Sequence, residues 1–449
     1  MKRSEELWGP LNGLANSRVQ DVAWNGVSAR KPSVDVAEPA IPMTARAWLQ
    51  IDLGGLQWNL QQIRRRLAPE TDVMAVVKAD AYGHGAVPVS RTAVNNGASC
   101  LGVATVQEGV ALRNAGLDVP IVILGFADGD EQTEAMVRYR LTPTVCNTGH
   151  ANDLATSFRK VAAKGVWPDD IQRWPVHVKI DTGLSRLGAP WRSAGEVVDE
   201  IVRSGVLDVQ GVYSHLACAD ECDPRSMDEQ RLRFEQALAE LESVNGVTGV
   251  RHLANSAATL VSSSFHFDMV RLGLALYGMY PAEHLQGTAD LRPLISLKAR
   301  VTQTRTIQRG TPVSYGSTFV ADRRMRVGVL SIGYADGVPF RLSQRMEVLA
   351  HGRRLKQLGR ITMDQMVIDI TDDATVQTGD TVTLLGRDGK ETIQVSDWAR
   401  ELETIPWEVL CAFKSRLPRV AVAAPEPVHE RPAVPARTRR VALALRGAH

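Results

Sequence analysis

The sequence predicts an α/β protein, a (β/α)8 TIM barrel followed by a C-terminal β-rich domain. Short apolar runs alternate with helical segments from about residue 70 to 278, and strand-like segments with little helix follow from about 290. Parallel strands that are covered on both faces appear in a sequence as near-continuous apolar runs. No GxGxxG motif follows the first run, which disfavours a doubly wound dinucleotide-binding sheet.

Eight apolar runs supply the predicted strands of the barrel. In chain order they are VMAVVK, CLGVAT, VPIVILG, LTPTVCN, WPVHVKID, VQGVYSHL, VRHLANS and FDMVRLGLALYG. Between them lie amphipathic segments such as residues 228–244, whose apolar residues share one helical face. Eight strand–helix units over this length favour a closed barrel over an open sheet.

Composition divides the chain into four predicted segments. Residues 1–44 mix Pro, Gly, Asn and charge without periodicity, which predicts a disordered N-terminal extension. Residues 45–285 form the predicted barrel domain, of which residues 45–55 are a candidate to pair with the later strands. Residues 286–422 contain successive strand-like segments and form the predicted β-domain, and residues 423–449 form a Pro- and Arg-rich tail.

The composition indicates a soluble globular protein of the cytoplasm. The 449 residues are 44% hydrophobic and 23% charged, and the net charge of +2 gives no reason to expect a nucleic-acid or membrane partner. No apolar stretch is long enough to span a bilayer. Five cysteines, an odd number, favour reduced thiols. Cys218 and Cys222 lie close together, but no second pair follows at a useful spacing, so no metal site is predicted.

Polar residues follow the predicted strands at the end where TIM barrels place their active sites. In strand order they are Lys78, Lys179, Asp181, His215, Asn255, Ser256, Arg271 and Gly273. A lysine at the exit of an apolar strand has a lowered pKa, because desolvation disfavours the ammonium ion. A neutral amine condenses with aldehydes, as in enzymes that use pyridoxal 5'-phosphate (PLP). The loops after the last two strands would supply a phosphate site, with Ser256 opening a helical segment.

The segment AVVKADAYGHG, which contains Lys78, resembles the PLP-lysine signature of the alanine racemases. The resemblance continues, in the family's order, through VKIDTGLSRLG, YSHLACAD, HLANSAATL, MVRLGLALYG, VSYGSTF, LSIGYADG and LGRITMDQMVIDI, and covers about residues 45–420. It implies a PLP-dependent enzyme that interconverts L-alanine and D-alanine with two bases. It also implies a supply of D-alanine for peptidoglycan in a bacterial cytoplasm.

The resemblance assigns roles by position. Lys78 would bind PLP covalently, and Lys78 and Tyr315 would be the two catalytic bases, on opposite faces of the substrate. His215 and Arg271 would form a hydrogen-bonded chain that supports Tyr315 as a base, and Arg271 would face the pyridine nitrogen of PLP and leave it unprotonated. The implied cofactor-binding residues are Lys78, Tyr82, His215, Asn255, Ser256, Arg271, Gly273 and Leu274. The implied substrate-binding residues are Arg186, Tyr334, Met363 and Asp364.

Lys179 matches a lysine that is often carbamylated in the family and that orients the arginine matched by Arg186. In the family the residues that match Tyr315, Tyr334, Met363 and Asp364 come from the partner subunit's β-domain. The resemblance therefore implies a head-to-tail homodimer with two shared sites.

Two positions depart from the family pattern. Ser415 stands where some members have a phosphate-binding tyrosine, and Phe340 stands where many have an arginine near the entrance. Three alternatives remain open: a serine or broad-spectrum racemase, a PLP-dependent decarboxylase, and a PLP carrier without catalysis. A decarboxylase delivers only one proton and does not require Tyr315, and carriers resemble the barrel alone.

Overall fold

The computed structural model describes residues 45–246 and 249–422. The predictions for residues 1–44 and 423–449 fall outside the described residues. No helix in the described part of the chain is long and apolar enough to cross a membrane.

The strands, in chain order, are β1 (Ala47–Asp52), β2 (Asp72–Val76), β3 (Cys100–Val103), β4 (Ile121–Ile123), β5 (Thr144–Val145), β6 (Trp174–Asp181), β7 (Ala189–Pro190), β8 (Leu207–Tyr213), β9 (Val250–His252), β10 (Met269–Leu272), β11 (Ile295–Ile307), β12 (Pro312–Val313), β13 (Phe319–Val320), β14 (Met325–Leu330), β15 (Glu347–Ala350), β16 (Arg353–Leu358), β17 (Met366–Asp369), β18 (Thr381–Asp388), β19 (Glu391–Ile393) and β20 (Arg419–Val422).

The helices are α1 (Leu53–Arg64), α2 (Lys78–Tyr82), α3 (Ala86–Asn95), α4 (Val106–Asn114), α5 (Asp130–Arg138), α6 (Thr148–Ala163), α7 (Ala194–Ser204), α8 (Arg225–Asn245), α9 (Ser256–Val261), α10 (Val395–Leu402) and α11 (Pro406–Cys411). Short 3-10 turns occupy Trp191–Ser193, Ser263–Phe265, Leu274–Tyr277, Glu283–Leu285, Tyr315–Ser317, Tyr334–Asp336 and Phe340–Leu342.

Eight parallel strands, β2 to β6 and β8 to β10, form the barrel, with one strand for each predicted apolar run. The bridge between Val122 and Thr142 joins the two halves of the ring on one side. On the other side the backbone N–H of Arg271 donates to the carbonyl of Ala254 at 2.9 Å, which joins β10 to β9. The predicted TIM barrel is therefore confirmed as a closed ring.

The barrel helices cover the strands with their apolar faces. In α7, for example, Val197, Val198 and Ile201 are buried while the charged residues of the same helix face outward. Strand β2 is buried from Val73 to Val76, as expected for a strand that is covered on both faces. This burial makes the exit of β2 a poorly solvated place for an amine.

The C-terminal β-rich domain is built on a nine-stranded sheet with the order β19-β18-β15-β16-β17-β14-β11-β1-β20. Strand β1 pairs with β11 in antiparallel fashion (Leu49 opposite Leu297) and with β20 in parallel fashion (Leu49 opposite Arg419). The side chain of Asp52, at the end of β1, then caps α1 of the barrel through the N–H of Gly55. The first and last described strands therefore lie side by side in the sheet, and Arg419 of β20 donates to the carbonyl of Gly83 in the barrel domain.

Candidate active site

A cavity of about 740 Å³ lies at the carboxyl ends of the barrel strands. Ten of the residues predicted for the site line it: Lys78, Tyr82, Lys179, Arg186, His215, Asn255, Ser256, Arg271, Gly273 and Leu274. Trp407 and Cys411 of α11 also line it, so the C-terminal β-rich domain completes the wall of its own barrel's cavity.

Lys78 lies two residues beyond the end of β2 and faces this cavity. Burial lowers the pKa of its amine, and the nearby guanidinium of Arg186 lowers it further. Both effects favour the neutral amine, which is the nucleophilic form.

The chain after Lys78 makes a left-handed turn. Ala79, Asp80, Ala81 and Tyr82 have φ values between 52° and 54°, a conformation that costs L-residues about 1–2 kcal/mol each. The turn ends at Gly83, where the Cβ of any other residue would lie 2.5 Å from the carbonyl oxygen of Leu410 in α11. Four consecutive residues in this conformation require support from the rest of the structure.

His84 and Glu108 provide part of that support. The Nδ1 of His84 is 3.0 Å from the carbonyl oxygens of both Ala81 and Tyr82, so this nitrogen must carry the hydrogen. Burial lowers the pKa of His84 to about 4, which keeps the ring neutral. The carboxylate of Glu108 accepts a 2.7 Å hydrogen bond from the N–H of Ala79. Glu108 therefore holds the beginning of the turn and His84 holds its end, and together they support the backbone that carries Lys78.

The strain in this turn leads to a stability prediction. Replacing Ala79, which is exposed, with glycine should raise the free energy of unfolding by about 0.5–1 kcal/mol, because glycine adopts positive φ without cost. Ala111, an exposed residue of the right-handed helix α4, offers the matched control. Its replacement with glycine should lower the free energy of unfolding by about 1 kcal/mol. Urea unfolding measures the free energy of unfolding of both variants. An equal decrease in the two variants would contradict the prediction.

Arg271 lies at the bottom of the site in β10 and is 4% exposed. Its Nη1 donates to the carbonyl of His252 at 2.8 Å, and its Nη2 donates to the carbonyls of Ser214 and Leu253 at 2.8 and 3.1 Å. Burial lowers its pKa to about 10, so the guanidinium stays charged at neutral pH. These partners are uncharged, and the positive charge is therefore available to the cavity.

Arg271 also determines the tautomers of two histidines. Its nitrogens lie 3.1 Å from Nδ1 of His215 and 3.3 Å from Nδ1 of His252. Since a guanidinium only donates hydrogen bonds, both Nδ1 atoms must accept, and each ring carries its hydrogen on Nε2. Burial and the charge of Arg271 hold the pKa of His215 well below its usual value. His215 is therefore a neutral ring whose Nε2–H is a donor at the cavity wall.

A small cradle lies between the loops that follow β9 and β10. The hydroxyl of Ser256 accepts hydrogen bonds from the N–H groups of Gly273 (2.9 Å) and Ala275 (3.2 Å). A Cβ at Gly273 would lie only 2.8 Å from the hydroxyl of Tyr82, so only glycine leaves this space open. Asn255 caps α9 by accepting from the N–H of Ala258. The cradle therefore presents the hydroxyl groups of Ser256 and Tyr82 to the cavity, and hydroxyl groups can donate hydrogen bonds to a phosphate.

Lys179 and Arg186 form the cationic side of the cavity together with Arg271. Burial, followed by the charges of Arg271 and Arg186, lowers the pKa of Lys179 to about 8. Asp181 does not line the cavity. Its Oδ1 accepts hydrogen bonds of 2.9–3.1 Å from the N–H groups of residues 183–185, which shapes the loop that carries Arg186.

Four of the predicted site residues lie elsewhere in the described chain: Tyr315, Tyr334, Met363 and Asp364. They belong to the C-terminal β-rich domain, and none lines the cavity of the same chain. Tyr315 is 73% exposed and Met363 is 52% exposed. Phe340, where many members of the resembled family have an arginine, packs edge-on against the ring of Tyr334. The two ring centroids are 6.3 Å apart. In the single chain these four side chains therefore lie outside the cavity of their own barrel.

Sequence reasoning missed Glu108 and the two buried histidines, His84 and His252. A signal for Glu108 was present, because Thr105 and Glu108 form a T-x-x-E capping box directly after a strand. His84 is part of the lysine motif, and His252 ends a strand next to the predicted Asn255. Nothing in the spacing of these residues indicates their contacts with the turn and with Arg271.

The chain matches two family profiles along most of its length. The profile described as alanine racemase, N-terminal domain, matches residues 51–281, and the C-terminal domain profile matches residues 294–421. An alanine racemase of a Nostoc species is 51% identical over 377 residues, which cover 84% of this chain and 96% of that protein. An alanine racemase of a Synechocystis species is 46% identical over 380 residues, which cover 84% of this chain and 99% of that protein.

Solved structures show the same relationship. The alanine racemase of Streptomyces lavendulae aligns with a TM-score of 0.77 and 35% identity, over 84% of this chain and 97% of that chain. That of Bartonella henselae, described with covalently bound pyridoxal phosphate, aligns with a TM-score of 0.72 and 30% identity. This alignment covers 84% of this chain and 100% of that chain. On these matches, which span both the barrel and the β-rich domain, the chain belongs to the alanine racemase family.

Proposed function

We propose that this protein is a PLP-dependent alanine racemase that interconverts L-alanine and D-alanine in a bacterial cytoplasm and supplies D-alanine for peptidoglycan. One observation carries the proposal: the amine of Lys78, the guanidinium of Arg271 and the cradle at Ser256 and Gly273 line a single cavity. We also assign residues 45–285 to the barrel domain, with β1 in the later sheet, and residues 286–422 to the β-domain.

The residues of the cavity fit PLP by their chemistry. Lys78 would bind its aldehyde carbon, the cradle of Ser256, Gly273 and Tyr82 would hold its phosphate, and Arg271 would donate to its ring nitrogen. When bound, PLP would supply the electron sink that makes the α-hydrogen of an amino acid acidic. Arg271 cannot transfer its proton to the ring nitrogen, and we propose that this limits side reactions such as transamination.

Racemisation requires that one face of the α-carbon loses a proton and the other face gains one. We propose Lys78 as the acid and base on one face, because its lowered pKa allows exchange between amine and ammonium. We propose the phenol of Tyr315 from the partner subunit on the other face. The neutral His215 would donate from Nε2 to the oxygen of this phenol and stabilise its phenolate form.

Substrate binding and the shared site follow the same assignment. Arg186 would bind the substrate carboxylate, and Tyr334, Met363 and Asp364 of the partner subunit would close the cavity from the other side. The active unit would be a homodimer with two sites. The exposure of Tyr315 and Met363 in the single chain supports this arrangement.

Lys179 is proposed to be carbamylated. Its pKa of about 8 leaves part of the amine neutral near neutral pH, and a neutral amine adds to carbon dioxide with release of one proton. The resulting carboxylate would lie among Lys179's cationic neighbours, Arg186 and Arg271, and would orient Arg186. The neutral fraction rises with pH, so carbamylation should increase as the pH is raised through 8.

This modification can be detected directly. With ¹³C-labelled bicarbonate near pH 8, the wild-type protein should show a carbamate resonance that the Lys179→Gln variant lacks. We expect the variant to lose about tenfold in kcat/KM, because Arg186 is no longer held. Identical spectra from the two proteins would contradict carbamylation at this position.

The proposed activity is tested with the purified protein and PLP. L-alanine, L-serine and L-lysine are incubated separately, and D-isomer formation is followed by chiral chromatography. We expect rapid formation of D-alanine and slower reaction of the others. Preference for serine would redefine the substrate. Release of carbon dioxide, or PLP binding with no racemisation of any substrate, would replace the proposal with a decarboxylase or a carrier.

A further inference from the structure

Two loops of the C-terminal β-rich domain form a single unit, here called the platform (residues 333–336 and 362–365). The N–H groups of Tyr334 and Ala335 donate to the carbonyls of Thr362 and Met363, each at 3.0 Å. A side chain at Gly333 would overlap the same two carbonyl oxygens, so the contact requires glycine. The backbone segments that carry Tyr334, Met363 and Asp364 are therefore held against each other.

The platform is anchored by a fully buried carboxylate, that of Asp336. Asp336 accepts from the N–H of Gly333 at 3.0 Å and from both terminal nitrogens of Arg46 at 3.0 and 2.6 Å. The Nε of Arg416 lies 3.6 Å from the same carboxylate. Arg46 alone provides a paired cation for the buried charge, so Arg416 is not required for that purpose.

Arg416 instead connects the anchor to the exposed edge of the platform. Its Nη2 donates to Oδ1 of Asp364 at 2.7 Å, while its Nε faces Asp336. The side chains of Arg416 and Asp364 are about half exposed in the single chain. An ion pair of this kind adds little to folding stability. The chemical consequence of this ion pair is that the guanidinium of Arg416 compensates the negative charge of Asp364 and holds the carboxylate in one position.

We propose that Arg416 is a positioning residue for the partner subunit's active site, where it neutralises Asp364 and so permits the substrate carboxylate to bind. This proposal rests on the proposed function, in which Asp364 enters the partner's cavity. The substrate is itself a carboxylate, and an unpaired Asp364 beside it would repel it. Arg416 therefore acts through Asp364, in trans, and mainly on substrate binding.

The expected kinetic effect separates this role from a structural one. Arg416→Met should raise the KM for alanine about tenfold and change kcat by less than about twofold, with an unchanged thermal unfolding curve. Arg416→Lys keeps the positive charge but can contact only one carboxylate at a time, so its KM for alanine should rise less. Adding Asp364→Asn to Arg416→Met should lower KM again, because the unpaired charge is gone. A further rise in KM in the double variant would overturn the proposal.

Hybrid dimers test whether Arg416 acts in trans. Lys78→Ala silences the site on one barrel, so each hybrid has one site to measure. When Lys78→Ala is in one chain and Arg416→Met in the other, the working barrel receives an intact platform, and KM should equal that of the wild type. When both changes are in the same chain and its partner is wild type, the working barrel receives the altered platform, and KM should rise about tenfold.

The reverse pattern, with KM raised only in the first hybrid, would show that Arg416 acts within its own chain and would overturn the proposal. A hybrid of Lys78→Ala with Tyr315→Phe serves as the control for the shared site. If that hybrid has no activity, the shared-site dimer fails, and the role in trans fails with it. If that hybrid is active and KM is the same in both Arg416 hybrids, only the role of Arg416 is excluded.

Discussion

Replacing Lys78 with alanine is expected to lower alanine racemisation by about 10⁴-fold. The variant loses the one amine that follows β2 into the cavity and whose pKa is lowered by burial. The covalent PLP absorbance band should disappear as well, while Arg271 and the proposed phosphate cradle remain. Chiral chromatography and an absorbance spectrum of the same preparation measure both effects.

Two controls make this result specific. Lys390→Ala, in an exposed hairpin of the β-rich domain, should leave activity and spectrum unchanged. Added methylamine should restore part of the activity of Lys78→Ala, because a small amine can occupy the space that the side chain leaves. Activity in Lys78→Ala within tenfold of the wild type, without added amine, would show that another group serves as the base.

Replacing Tyr315 with phenylalanine is expected to lower racemisation by about 10³-fold. Because Lys78 remains, exchange of the α-hydrogen with deuterated water should continue for one enantiomer and stop for the other. Proton NMR of L-alanine and D-alanine in separate incubations measures this difference. Equal loss of exchange from both enantiomers would contradict the assignment of the two residues to opposite faces.

A hybrid of the two variants gives the sharpest expectation. Co-expression with two different tags allows dimers with one Lys78→Ala chain and one Tyr315→Phe chain to be purified. In the proposed shared-site dimer, one site then contains Lys78 and the partner subunit's Tyr315, both intact, while the other site has neither. The hybrid should have about half of the wild-type activity, although each parent is nearly inactive. A hybrid as inactive as its parents would show that both residues serve the same chain.

Much of the fold could be predicted because it depends on local patterns. Eight apolar runs, each bounded by helical segments, correspond one to one with the barrel strands. Lys78, Arg271 and Ser256 could also be predicted, since residues at the exits of parallel strands meet at one end of a barrel. Glu108 was missed although its capping box was visible, because a capping pattern does not tell which other backbone group the carboxylate will accept from.

Hydrophobic patterns alone were enough to predict the order of the barrel strands, the change to a β-rich region and several of the polar residues at the cavity. These follow from hydrophobic periodicity and from the direction of parallel strands, which are properties of short segments. Three features could not be predicted and became visible only in the folded chain: the left-handed turn after Lys78, the tautomers of His215 and His252, and the pairing of Arg416 with Asp364. Each of these depends on groups distant in sequence, and their contacts outweigh local preferences only after the chain has folded.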